Sequence, residues 1–85
     1  MTLENKTILI TGAARRLGNA TAIFLAQQGA NLVLHYNSSS TEVEMTKKAI
    51  VDLGSRCWTI QADLSNLADL SALIEMAVSF SPLDG

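Results

Sequence analysis

The sequence predicts one half of a doubly wound α/β fold, with three parallel strands and three helices in the order βαβαβα. Three observations carry this. Short apolar runs, Thr7-Ile8-Leu9-Ile10 and Leu32-Val33-Leu34, alternate with longer segments of helical spacing. Gly29 and Gly54 stand where those longer segments should end. The first run passes directly into Thr11-Gly12-Ala13-Ala14-Arg15-Arg16-Leu17-Gly18. Strand, glycine turn and helix in succession set backbone N–H groups and a helix N-terminus against a phosphate. Right-handed crossovers between successive strands then give the strand order 3-2-1.

The elements follow in order. Residues 6–11 are the predicted first strand. The first helix is expected over 16–28, with Leu17, Ala20, Thr21, Phe24 and Gln28 along one face and Ile23 and Ala26 adding apolar surface elsewhere. It carries no charge after Arg16, which implies burial over much of its circumference. The second strand is 31–36, and its continuous apolar run predicts cover on both faces. A polar loop of small residues, 37–41, leads to a second helix over 41–53. Ser39 with Glu42, or Thr41 with Glu44, has capping-box spacing. Val43, Ile50 and Leu53 are expected to face the core, and Glu44 and Lys48 can pair on the outside. The third strand, 56–62, has one more polar face and suits a sheet edge. A third helix begins near Leu67, capped by Ser65 or Asn66, with Leu67, Leu70, Leu73, Ile74, Ala77 and Val78 as its apolar face; Pro82 closes it.

Composition bounds the class. With 85 residues the chain allows one small domain, whose core buries only slightly more than ~60% of the unfolded surface. With a net charge of −2, no nucleic-acid footprint is expected. Residues 17–41 lack Asp, Glu, Lys and Arg, but Gln27, Gln28, Gly29 and Asn31 interrupt the run, so no membrane span is expected. No charged–apolar–small leader precedes the first strand, and the chain reads as cytoplasmic. The single Cys57 has no internal disulfide partner, which fits a reducing compartment. His35 stands apart from any cluster of metal-ligating residues and reads as structural.

The glycine turn lacks the Gly-x-Gly-x-x-Gly spacing of the generic dinucleotide fingerprint. Read as Thr-Gly-x-x-x-Gly-x-Gly, however, it resembles the cofactor signature of the short-chain dehydrogenase/reductases. Thr11, Gly12 and Gly18 match, and Arg16 stands where the middle glycine is expected. In that exchange the chain is similar to pteridine reductase-like members, which carry a basic residue there. Leu34-His35-Tyr36 followed by Asn37-Ser38-Ser39, and Gln61-Ala62-Asp63-Leu64-Ser65-Asn66, extend the likeness over nearly the whole chain.

The end of the second strand discriminates between cofactors. A site that prefers NAD places an Asp or Glu there to hold the ribose hydroxyls. Here the positions read Tyr36-Asn37-Ser38-Ser39, with no acid to repel a 2′-phosphate. Arg15 and Arg16 in the turn can form charge-assisted bonds to phosphate oxygens. The plain alternative is a pair of solvated arginines; the glycine turn before them and the acid-free loop favour the phosphate. The resemblance points the same way, toward NADP(H), although Ser38 stands where pteridine reductases carry a further arginine. The resemblance also implies that Ala62 and Asp63 meet the adenine edge and that Leu64 packs on the ring. The plain alternative for Asp63 is a cap on the third helix, and both roles can hold together. The expected cofactor-binding set is therefore Gly12, Arg15, Arg16, Leu17, Gly18, Tyr36, Asn37, Ser38, Ser39, Ala62, Asp63 and Leu64.

No catalytic residue is expected. The family's Asn-Asn-Ala-Gly strand, catalytic Ser and Tyr-x-x-x-Lys pair have no counterpart here, and Tyr36 is followed four residues later by Ser40. Residues 1–85 thus read as a dinucleotide-binding domain cut before its fourth strand. The parent would be an NADP(H)-dependent reductase acting on a C=N or C=O substrate, expected as a homo-oligomer. The alternative is a non-catalytic nucleotide-binding or purely structural fragment. Without a fourth strand, Ile8, Leu9 and Ile10 are expected on an open sheet edge, with Leu70, Leu73 and Ile74 only partly docked.

Overall fold

A computed structural model describes residues 3–13, 16–38, 40–63 and 67–85. The described elements are β1 (Thr7–Ile10), α1 (Arg16–Gln27), β2 (Asn31–Tyr36), α2 (Ser40–Asp52), β3 (Cys57–Gln61) and α3 (Leu67–Phe80). Both strand pairs are parallel and the order is β1-β2-β3. In register, Ile8 lies opposite Leu32 and His35 lies opposite Ile60. The expected caps Ser39, Ser65 and Asn66 lie outside the described residues.

The β2 run is buried on both faces because α1 and α2 cover one side and α3 the other. Leu32, Leu34 and Cys57 join Ala22, Ala26, Val43 and Ile50 in the larger core. Val33 and Ile60 join Leu73 and Ala77 beneath α3. Each fully buried aliphatic side chain of this kind stabilises the fold by about 1.5–3 kcal/mol. On the same side Trp58 stacks on Phe80, with ring centroids 5.8 Å apart.

Three packing expectations change. The α1 face that helical spacing picks out is the outer one: Leu17 is 79% and Phe24 58% exposed, while Ala22 and Ala26 are buried. Small residues decide this, because they let the helix axis come close to the sheet. In α2, Thr46 takes the inward place expected of Leu53, which is exposed. The Thr46 hydroxyl donates to Asn19 Oδ1 at 2.8 Å, so the polar group is satisfied between α1 and α2.

The open edge at β1 is the third correction. Asp84 and Gly85 run beside it: the Leu9 N–H donates to the Gly85 carbonyl at 2.7 Å, and the Asp84 N–H to the Thr7 carbonyl at 2.7 Å. The Asp84 carboxylate takes the Thr7 N–H at 2.9 Å. Thr7 and Leu9 are therefore paired on that side, and Leu83 packs against the core beneath α3. Leu73 is fully docked, whereas Leu70 and Ile74 are exposed.

Candidate functional site

Gly12 leaves β1 with φ 65°, a left-handed conformation that a side chain disfavours. Helix α1 begins at Arg16, whose side chain is exposed. No acidic residue stands in the first turn of α1, so its positive end is not neutralised by its own side chains. Gly18 packs that first turn onto the strand–helix turn. A Cβ added to it would lie 2.6 Å from the Gly12 carbonyl oxygen. The absence of a side chain at Gly18 thus serves the backbone of Gly12 and Ala13.

Above this turn opens a cleft of about 660 Å³, lined by Leu9, Ile10, Thr11, Gly12, Leu17, Gly18, Thr21 and His35. It sits at the carboxyl ends of the strands, where open α/β sheets bind ligands. A second hollow, of about 450 Å³, lies near Glu4, Gln28 and Gly54 and includes none of the expected site residues.

The remaining expected residues among those described stand at the carboxyl ends of β2 and β3, a rim of the sheet on the same side as the cleft. Tyr36 ends β2, half-buried, and its carbonyl accepts the Ala62 N–H at 3.0 Å. Asn37 and Ser38 follow, both exposed. Gln61 Nε2 donates to the Asn37 carbonyl at 3.0 Å, tying the loop after β2 to the end of β3. Asp63 is exposed just beyond. Arg15, Ser39 and Leu64 lie outside the described residues.

His35, read from the sequence as structural, and Gln61 make ties that the sequence reading did not foresee. Both reach residues more than twenty positions away, and no local pattern signals that. His35 is buried, with Nδ1 3.1 Å from the Gly12 nitrogen and Nε2 2.7 Å from the Ala62 carbonyl oxygen. Gly12, Tyr36, Asn37 and Ala62 are thereby joined through His35 and Gln61 into one connected rim. Cys57 lies apart from it, buried, and desolvation pushes its thiol up to about 12; Lys47 lowers it and Glu44 raises it by smaller amounts. Among the described residues no group of His, Cys, Asp and Glu could hold a metal ion. None of their helices is long and apolar enough to cross a membrane.

The sequence profile of the short chain dehydrogenases matches residues 6–85. The chain belongs to this family. Members use a nicotinamide dinucleotide, NAD or NADP. A hydroxynaphthalene reductase-like protein of Metarhizium anisopliae is 37% identical over 83 residues, covering 96% of this chain and 31% of its own. A short-chain dehydrogenase/reductase homolog of Bacillus subtilis, YusS, is 34% identical over 79 residues, covering 93% of this chain and 72% of its own. Among solved structures, the short-chain dehydrogenase/reductase of Serratia marcescens superposes with a TM-score of 0.91 at 29% identity, over 99% of this chain and 35% of that one. The chain thus spans about a third of the length of the Metarhizium and Serratia proteins.

Proposed function

We propose that this chain is the cofactor-binding N-terminal part of an NADP(H)-dependent short-chain reductase. The observation that carries the reading is the acid-free end of β2. Asn37 and Ser38 stand exposed on the rim where a site for NAD would present a carboxylate. His35 joins that strand end to the Gly12 turn, and Arg16 opens the helix that follows the turn. An exposed guanidinium, a hydroxyl and an amide are then available to a 2′-phosphate, and the first turn of α1 offers it no opposing carboxylate.

The residues present fit a dinucleotide. The close approach at Gly18, which a Cβ would fill, seats the first turn of α1 on the backbone of Gly12 and Ala13, the turn that would meet a pyrophosphate. Arg16, with Arg15, would hold the 2′-phosphate together with Asn37, Ser38 and Ser39. Gly12, Leu17 and Gly18 would flank the pyrophosphate, Tyr36 would border the ribose, and Ala62, Asp63 and Leu64 would meet the adenine. When bound, NADPH supplies a hydride to a C=N or C=O carbon. These residues would bind and orient it; the acid that protonates the product would come from the rest of the parent reductase. The pteridine reductase-like likeness at Arg16 and residues 34–39 makes a pterin-type C=N bond the first substrate class to try. The hydroxynaphthalene reductase-like name of the Metarhizium relative favours an aromatic ketone as the second. A cytoplasmic homo-oligomer is the expected setting of the whole protein.

The test is a titration of the chain with NADPH and NADH, repeated with Arg16→Ala. A lost charge-assisted bond costs about 1.5–3 kcal/mol, so Arg16→Ala should weaken NADPH at least tenfold and leave NADH nearly unchanged. Equal loss for both cofactors refutes the assignment of the 2′-phosphate to Arg16.

A further inference from the structure

We propose that His35 is a positioning residue that holds the glycine turn after β1 at a set distance from the end of β3. The proposal deepens the dinucleotide reading, since those two segments would carry the pyrophosphate and the adenine.

Donor and acceptor chemistry assigns the ring. The Gly12 N–H can only donate, so Nδ1, at 3.1 Å, accepts and carries no hydrogen. The Ala62 carbonyl can only accept, so Nε2, at 2.7 Å, carries the hydrogen. One neutral tautomer satisfies both bonds. The protonated ring would point an N–H at the Gly12 N–H and lose the first bond.

The anchoring is double. The main-chain carbonyl of His35 also accepts the Ala13 N–H, at 2.8 Å. Two consecutive amides of the turn are therefore held by one residue, Gly12 by the side chain and Ala13 by the backbone. The position explains why the residue is polar. His35 is 5% exposed within a strand whose neighbours Leu32, Val33 and Leu34 are all buried. An apolar side chain there would fill the space and leave the Gly12 N–H without its acceptor.

A consequence concerns ligand contacts. With its N–H committed to His35, Gly12 has no amide to offer a phosphate. The turn contributes shape there, and N–H donors must come from residues further along, toward the first turn of α1. Loosening the ring bond would leave the sheet intact and widen the gap between the turn and Ala62.

The experiment uses the full chain as wild type, His35→Leu and His35→Asn. Ring nitrogen shifts by NMR should show hydrogen on Nε2 and none on Nδ1. Amide exchange at Gly12 should accelerate tenfold or more in His35→Leu while Val33, in mid-strand, keeps its protection. His35→Asn places an amide oxygen near the Nδ1 position and should restore much of the Gly12 protection. NADPH should bind His35→Leu about tenfold more weakly than wild type. A hydrogen on Nδ1, or unchanged Gly12 exchange in His35→Leu, overturns the proposal. So does equal NADPH affinity of wild type and His35→Leu when the wild type binds. Absence of NADPH binding by the wild type defeats the dinucleotide reading, and Gly12 exchange still decides the role of His35. If His35→Leu does not fold, the wild-type tautomer and the His35→Asn exchange decide it.

Discussion

Replacing Gly18 with alanine should destabilise the chain by about 1 kcal/mol, opposite to the usual effect of that change in a helix. At an ordinary helical position Gly→Ala stabilises by about 0.5–1 kcal/mol, because glycine loses more backbone entropy on folding. Gly18 is the third residue of α1 and should follow that rule if space allowed. It does not. The new Cβ would stand 2.6 Å from the Gly12 carbonyl oxygen and 3.1 Å from the Ala13 Cα, where ordinary contact begins at 3.4 Å. Both neighbours are backbone in a turn held by two bonds to His35, so neither can swing aside as a flexible side chain would. Overpacking against an unyielding neighbour costs about 1–3 kcal/mol. Set against the helix gain, a net loss of about 1 kcal/mol remains. Urea unfolding of Gly18→Ala and of an exposed control on the same helix, Thr21→Ala, measures it. Gly18→Ala should lower the midpoint while Thr21→Ala holds or raises it. A Gly18→Ala chain as stable as wild type, or more so, would refute the close approach.

Two further outcomes follow from burial. Leu73→Ala should destabilise by about 2–5 kcal/mol, because Leu73 is 2% exposed beneath α3, whereas Leu70→Ala on the partly exposed side of that helix should lose less than about 1.5 kcal/mol; equal losses in urea melts would contradict the docking of α3. Cys57 carries a thiol whose pKa is raised by burial from 9.0 to about 12, so the folded chain keeps its proton where the unfolded chain releases it. The unfolded state binds fewer protons above pH 9, hence this contribution is intact below pH 9 and is lost as pH rises toward 12. Wild type should lose stability relative to Cys57→Ala between those limits, and its thiol should react with an aromatic disulfide at pH 8 only as the chain opens; parallel pH curves or immediate reaction would argue against the burial.

The order of elements was legible in the chain because its signals are local. Glycines at 12, 29 and 54 adopt positive φ, and each stands within three residues of a strand. The unbroken apolar run of β2 announced a strand with cover on both sides, and it has it. That Gly12, Asn37 and Ala62 stand at one edge of the sheet follows for a related reason: in a parallel sheet every strand's carboxyl end comes to the same side, so residues following the strands converge whatever the helices do.

Only the tertiary structure decided which face of α1 meets the sheet. The helix is apolar nearly all round, so hydrophobicity does not choose between the side of Leu17 and Phe24 and the side of Ala22 and Ala26. Clearance chooses, and Gly18, Ala22 and Ala26, four residues apart, give the smallest surface to bring against the strands. The tie from His35 to Gly12 and Ala62, and the seat of Asp84 beside Thr7, belong to the same class. Their partners lie 23, 27 and 77 residues away, and a hydrogen bond over such a separation depends on the assembled sheet rather than on the spacing of residues along the chain.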